Sequence, residues 1–326
     1  MPTAADIRSF TLQDADSAVT VLNLGCVTQS WVSSLCGAER HIVLGYRDPA
    51  SYLTNPQFLG AIVGRVANRI AKARFDLEGT TYQLDANAPP HMLHGGYNGL
   101  HHRIWDADVD GHRAVQLRLH SPDGDQGFAG AVDFTLEISL SDNSLTYAMK
   151  ARVDRPTPIN LAQHSYYNLA GSGPIKDHRL QVAADAILHT DATGIPLGPA
   201  HSLDGQALDF RSPKSIRSAD PQGHGIDHNY CLTPNAPAPQ ARLWADGLAL
   251  SFHTDQPGLQ VYTASNLLPV APPLQGQTHS AFSGICLEPQ GYPDALNQPA
   301  YPTIVVTPER PYSQQLTISL DQEPLL

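Results

Sequence analysis

Cysteine is scarce in this chain of 326 residues: Cys26, Cys36, Cys231 and Cys286 are the full set, and no two form a C-x-x-C pair. Four thiols without such spacing do not make a disulfide framework, and they read as free and buried. Positive charge is also short. The 20 basic residues against 31 acidic ones leave a formal net charge of -11, which repels a phosphate backbone and argues against nucleic-acid binding. No stretch reaches the ~18 apolar residues that a membrane span requires, and the segment from Met1 to Arg8 lacks a basic region followed by an apolar run. A soluble, cytoplasmic protein with a small neutral ligand is the expectation. There is no G-x-S-x-G elbow, no Walker lysine loop and no G-x-G-x-x-G opening a helix, which sets aside the chemistries those motifs carry. No repeat of fixed period, low-complexity tract or charge run is present.

Turn formers and two-residue alternation are abundant instead. The 25 Gly and 27 Pro imply many short turns, and 41% hydrophobic residues supply a large core. Val115, Leu117 and Leu119 alternate with polar residues, as do Val132, Phe134, Leu136, Ile138 and Leu140. An Asp142-Asn143 turn then leads to Leu145, Tyr147, Met149, Ala151 and Val153. Three half-buried strands in succession predict an antiparallel meander. Arg74 to Leu84 reads as a hairpin about Glu78-Gly79, and Ala18 to Leu24 and His41 to Gly45 as opening strands. Leu248, Leu250 and Phe252 run into Asp255-Gln-Pro-Gly258, from which Leu259, Val261 and Thr263 alternate away, predicting another hairpin. Leu316, Ile318 and Leu320 predict a closing strand. Ser121 to Gly130 is a glycine-rich loop too irregular to cradle phosphate, and Pro234 to Pro239 is a loop rather than a linker. These patterns predict an all-β chain of stacked antiparallel sheets forming a single domain over residues 1–326.

Five places carry side chains suited to chemistry. His164 lies in Asn160-Leu-Ala-Gln-His-Ser-Tyr-Tyr-Asn-Leu-Ala-Gly171, just past a strand where Pro156 and Pro158 interrupt the ladder and turn the chain toward a cleft. Arg65, Asn68 and Arg69 stand in the otherwise apolar run from Gly64 to Ile70, where a charge needs a partner; a structural ion pair is the competing reading. His94 precedes Gly95-Gly96, which let a ligand approach the backbone. The nearby His91, His101 and His102 raise a metal alternative, but no helix pattern gathers them and no Cys cluster completes a site, so no metal is assigned. Asp227, in Gly225 to Tyr230, is either a hydroxyl acceptor or an Asx-turn residue. Glu288 is expected at the end of an apolar strand stopped by Pro289, partly desolvated and so more basic, with an exposed strand-end carboxylate as the alternative.

In this order, Gly64-Arg-Val-Ala-Asn-Arg-Ile70, Leu93-His-Gly-Gly96, Ser121-Pro-Asp-Gly-Asp125, His164-Ser-Tyr-Tyr-Asn-Leu169, Asp227-His-Asn229 and Leu287-Glu-Pro-Gln290 with Pro293-Asp294 resemble the aldose 1-epimerase (galactose mutarotase) family along nearly the whole chain. The resemblance implies a large twisted antiparallel β-sandwich with an open cleft for a small-molecule aldose and no metal or organic cofactor. It implies His164 as general acid and Glu288 as general base, with Arg69, His94, Asp227, Asn68 and Gln290 on the sugar hydroxyls. A monomer or homodimer is expected. Ala162-Gln163, Tyr167 and Pro289 depart from the family pattern and are expected to reshape the pocket. Arg103 and Lys176 are the candidates for holding an anionic hexose, phosphorylated or sulfonated. A glycoside hydrolase built on Asp227 and Glu288, and a sugar-binding protein without turnover, are the competing readings.

Overall fold

The computed structural model describes residues 2–323. Its largest unit is a nine-stranded antiparallel sheet. In spatial order the strands are Asp106–Asp110, Ala114–Ser121, Val132–Ser141, Ser144–Val153, Tyr312–Gln322, Leu248–Thr254, Ala241–Ala245, Arg179–Val182 and Lys214–Ser215. The predicted meander is in place, with Leu117 opposite Leu136 and Leu136 opposite Met149. The hairpin Arg74–Leu77 with Thr80–Gln83 and the closing strand are also found. The opening strand is Ser17–Leu22, but in the stretch from His41 to Gly45 only His41 belongs to a strand, and Val43 makes a single bridge to Tyr167. Among the described residues helix is limited to one α-helical turn, Ile216–Ala219, and short 3-10 segments. Among the described residues no helix is long and apolar enough to cross a membrane.

A six-stranded antiparallel sheet lies across the core. Its order is Tyr166–Tyr167, Ile285–Gln290, Gly258–Tyr262, Asp227–Leu232, Ala184–Leu188 and His201–Ser202. One face sends Ile187, Tyr230, Leu259, Val261, Ile285 and Leu287 into the main apolar cluster with Val115, Leu117, Leu136, Ile138 and Tyr147. Because side chains alternate along a strand, the opposite face is left for polar residues.

Three expectations need correction. Leu248–Thr254 and Gly258–Tyr262 do not form a hairpin. The first pairs with Ala241–Ala245 and Tyr312–Gln322 in the large sheet, the second with Asp227–Leu232 and Ile285–Gln290 in the smaller one. Alternation reports which face is buried but not which strand is the neighbour, and here the chain changes sheets across Asp255-Gln-Pro257. Glu288 does not end its strand, which continues to Gln290 with Leu259 opposite Pro289. On the other edge only Ile285 and Cys286 are paired, so Pro289 breaks no ladder bond to a second neighbour. Finally, all four cysteines are free, but only Cys26 and Cys286 are buried; Cys36 is exposed and Cys231 half-buried.

Candidate active site

The polar face of the six-stranded sheet is a grid fixed by register. Tyr166, Cys286, Tyr262 and Asp227 stand in one row, and Glu288, Gln260 and Asn229 in the next. A cavity of about 290 Å³ opens above it, lined on the opposite side by Phe58, Asn68, Arg69, His94 and His164. That is the lower end of the range for small-ligand sites.

His164 arrives from the segment after Ala162–Gln163, which pairs with Ile62–Val63. Its backbone is tied on both sides: its N–H donates to Ala61 (2.9 Å) and its carbonyl accepts from Gly60 (3.0 Å). The ring is wedged among His94, Tyr166 and Phe58, with centroids 5.2, 5.3 and 5.8 Å away. Nε2 lies 3.8 Å from Oε1 of Glu288. The two residues are 5% and 2% exposed, and burial disfavours both charges. It pulls the imidazole down to about 4 and pushes the carboxyl well above the usual carboxylate range, with the charge of Asp227 adding to the rise. Oε2 of Glu288 has no protein partner.

The two arginines of Gly64 to Ile70 have opposite surroundings. Arg65 is 2% exposed, and its guanidinium donates to Ser121 Oγ and to the carbonyls of Ser121, Pro122, Ala129 and Gly130 at 2.8–3.1 Å. The glycine-rich loop thus encloses a cation. Arg69 instead lines the cavity, and its guanidinium packs on Gly194, where an added Cβ would come within 2.7 Å of Cζ. Asp294 clamps the backbone beside it, donating its N–H to Arg69 O (3.0 Å) and accepting from Ala71 N–H (2.9 Å).

Asn68 takes a positive φ of 59° and donates its backbone N–H to Nδ1 of His94 (3.1 Å). Burial and the neighbouring His164 and Arg69 hold His94 well below its ordinary pKa. Its ring is therefore neutral, with the proton on Nε2 as a donor. Asp227, exposed to the cleft but set among protein atoms, accepts from Gln260 Nε2 at 2.6 Å; burial raises its pKa and this bond opposes the rise. Gln290 is fully buried, does not line the cavity, and has no protein partner for either amide atom.

Sequence reasoning missed Gln260, Tyr262, Tyr166, Gln57, Phe58 and Asn266 on the cavity wall. The signal for two of them was present, because the apolar alternation of Leu259 and Val261 puts Gln260 and Tyr262 on the other face. The departures from the family pattern lie elsewhere. Gln163 is buried and accepts from Tyr167 O–H (3.1 Å), so these two satisfy each other, and neither they nor Ala162 and Pro289 line the cavity. Arg103 is paired with Asp125 at 2.9 Å, and Lys176 lies over Phe282, 4.5 Å from its centroid.

The four histidines weighed as metal ligands are not gathered. His91 is engaged by Lys72 N–H (3.0 Å) and Thr193 Oγ1 (2.9 Å), and His94 by Asn68. Among the described residues, the one set of three ligand-type side chains with ligand atoms within 4.8 Å is His164, Cys286 and Glu288. The imidazole meets the thiol with Nδ1 and the carboxylate with Nε2.

The family model for aldose 1-epimerase matches residues 8–319. A galactose mutarotase of Rattus norvegicus is 37% identical over 317 residues, 94% of this chain and 92% of the rat protein. An aldose 1-epimerase of Escherichia coli (strain K12) is 35% identical over 315 residues, 92% of this chain and 91% of the bacterial one. The crystal structure of an aldose epimerase homologue from C. elegans superimposes with a TM-score of 0.92 at 26% identity, covering 97% of this chain and 99% of that one. The chain belongs to the aldose 1-epimerase family.

Proposed function

We propose that His164 and Glu288 exchange protons with the two oxygens of the hemiacetal in a neutral free aldose such as galactose or glucose. The protein is an isomerase, an aldose 1-epimerase, and interconverts the α and β anomers of aldoses. The observation that carries the residue roles is the buried pair: an imidazole and a carboxyl 3.8 Å apart, both lining a sugar-sized cavity.

The opposed pKa directions favour the uncharged form of each group, and the exchange runs with one proton shared between them. Two arrangements of that proton exist, carboxylate with imidazolium and carboxylic acid with imidazole, and they are the two ends of ring opening. In the first, Glu288 takes the proton from the anomeric hydroxyl while His164 Nε2 gives its proton to the ring oxygen, so the C1 to ring-oxygen bond breaks without a free alkoxide. The open-chain aldehyde then faces a carboxylic acid and a neutral imidazole. Rotation about C1–C2 presents the other carbonyl face. His164 takes the proton from the hydroxyl, Glu288 returns one to the carbonyl oxygen, and the ring closes with the opposite anomeric configuration. Protons and electrons balance within the pair, and no covalent intermediate or cofactor is needed.

Arg69, His94 as an Nε2–H donor, Asn68, Gln260 and Asp227 surround the cavity with donors and acceptors for hydroxyls. Arg69 is the one arginine or lysine that lines it, among the described residues. With Arg103 and Lys176 engaged elsewhere, a neutral sugar fits this wall better than an anionic hexose. Gln290, on the same strand face as Glu288 but outside the cavity lining and without a side-chain hydrogen-bond partner among the described residues, is given no contact with the sugar.

Polarimetry on freshly dissolved α-D-glucose and α-D-galactose, with Glu288→Gln as control, tests this reading. Acceleration toward the same equilibrium rotation, abolished in the variant, supports the assigned roles. Undiminished acceleration by Glu288→Gln would remove Glu288 from the mechanism.

A further inference from the structure

His164 has a second polar contact that the proton exchange does not use. Its Nδ1 faces Sγ of Cys286 at 3.6 Å, and that thiol is fully buried. The register makes the contact: Cys286 is opposite Tyr166 on one side and Tyr262 on the other, which sets it under the ring of His164 and two residues before Glu288 on the same strand face. One strand therefore supplies the partners of both imidazole nitrogens, Cys286 for Nδ1 and Glu288 for Nε2.

A histidine that works through Nε2 usually fixes its tautomer by donating Nδ1–H to a carbonyl or a carboxylate. Either acceptor also stabilises the imidazolium and weakens it as an acid. A thiol accepts only weakly. Burial, with Glu288 and Asp227 nearby, pushes Cys286 well above its ordinary pKa, so it presents S–H and not a thiolate that would trap the imidazolium. Ring opening requires the proton to leave Nε2, so the neutral ring must keep its proton on Nδ1, where sulfur is the acceptor.

Resting on the proposed role of His164 as the acid, we propose that Cys286 is a positioning residue that holds His164 in the Nδ1–H tautomer while leaving its imidazolium a strong acid toward the ring oxygen. The other titratable groups around the ring are Glu288 at Nε2, His94 edge-on with Arg69 behind it, Tyr166 beside it, His101 beyond Phe58, and Tyr262 and Asp227 across the floor. None of these hydrogen-bonds to Nδ1, whose one side-chain partner among the described residues is the thiol.

The test has a spectroscopic arm and a kinetic arm. Nitrogen-15 NMR of histidine-labelled wild-type protein, with His164 assigned by its disappearance in His164→Asn, reads the tautomer directly. Nδ1–H is expected at neutral pH, and a dominant Nε2–H tautomer overturns the proposal even if mutarotation is as described above. Cys286→Ser substitutes a stronger acceptor, and the acid limb of kcat is expected to move to higher pH. Cys286→Ala removes the acceptor, and kcat is expected to fall about three- to tenfold, the size of one ordinary hydrogen bond, with KM nearly unchanged. Wild-type kcat and an unmoved acid limb in both folded variants would reduce Cys286 to packing. Should the alanine variant fail to fold, the wild-type tautomer and the serine profile still decide. Absence of mutarotation in the wild type would instead refute the premise about His164.

Discussion

Arg65 and Arg69 lie in one segment, yet the structure gives them separable tasks, and replacing each by methionine tests the separation. Methionine at position 65 fills much of the guanidinium's space but donates nothing. The carbonyls of Ser121, Ala129 and Gly130 lie on buried residues, whereas Pro122 is exposed and can be rehydrated. Ala129 O keeps Thr157 Oγ1 as a second donor at 2.5 Å. Two buried carbonyls and Ser121 Oγ thus lose their cationic donor, at about 1–3 kcal/mol each. Relief of the guanidinium's own desolvation offsets part of that. Burial already pulls Arg65 down to about 10 against the opposing attraction of Asp125 and Asp123. The net expectation for Arg65→Met is a loss of about 3–5 kcal/mol, a large fraction of the ~5–15 kcal/mol that holds a typical domain folded.

Denaturant titration followed by fluorescence gives the free energy, and polarimetry on the folded fraction gives the kinetics. Arg65→Met should lower the unfolding midpoint at constant slope while KM stays within about twofold, since the side chain points into the loop and away from the sugar. Arg69→Met should do the reverse, with stability within about 0.5 kcal/mol and kcat/KM down about ten- to a hundredfold, as for loss of one charge-assisted hydrogen bond. If Arg65→Met unfolds within about 1 kcal/mol of wild type, the loop is not held by the cation and the argument fails.

Four further outcomes follow from the site. His164→Asn should lower kcat by a factor on the order of 10²–10⁴, as for loss of a general acid, while sugar binding by calorimetry persists; near-wild-type turnover would point to a different acid. The pH dependence of kcat should be broad and bell-shaped. Activity falls on the acid side near about 4, where His164 takes a second proton and no base remains, and on the alkaline side where Glu288, raised by burial, loses the shared proton; a profile with its alkaline limb in the ordinary carboxylate range would contradict the burial argument. Glu288→Gln should melt higher than wild type at alkaline pH and lose that advantage in acid. A carboxyl whose folded pKa is raised contributes its stability below the unfolded value and loses it as pH rises, so a melting difference independent of pH would refute the shift. Gly194→Ala, at φ 84° and with its Cβ directed at Arg69, should raise KM with little change in kcat, and an unchanged KM would show that the guanidinium is not held there.

Which of these features could be read from the chain depends on what sequence patterns encode. The meander was legible because Val132 to Val153 alternates cleanly and one face of each strand is buried. The partner of Leu248–Thr254 was not, because alternation is satisfied equally by either sheet and only three-dimensional packing distinguishes them. His164 and Glu288 were legible through their motifs, but the setting of Glu288 was misjudged: Pro289 reads as a stop signal, and that reading misses that the strand's other edge is bare at that point. The split between Arg65 and Arg69 was invisible because the donor-hungry carbonyls of Ser121 to Gly130 are backbone atoms, which every sequence has. Tyr167 looked like a change to the sugar pocket and is instead matched to Gln163, since a buried hydroxyl needs an acceptor wherever the chain can supply one.

The same reasoning explains why the two groups that face the His164 ring sit on a strand face. Alternation forces Glu288 and Cys286 to one side while Ile285 and Leu287 anchor the other side in the core, so the spacing of the two contacts to His164 is set by the pleat. The rigidity has a thermodynamic consequence. A carboxyl packed on a core-backed sheet and 2% exposed is destabilising whenever it ionises without a partner, and only proton exchange with His164 or a bound sugar relieves this. Substrate should therefore stabilise the protein more at alkaline pH than in acid, where the carboxyl is already neutral. Sugar-induced shifts in melting temperature measured across pH would show it, and a shift that is flat in pH would mean that the sugar's hydroxyl does not reach Glu288.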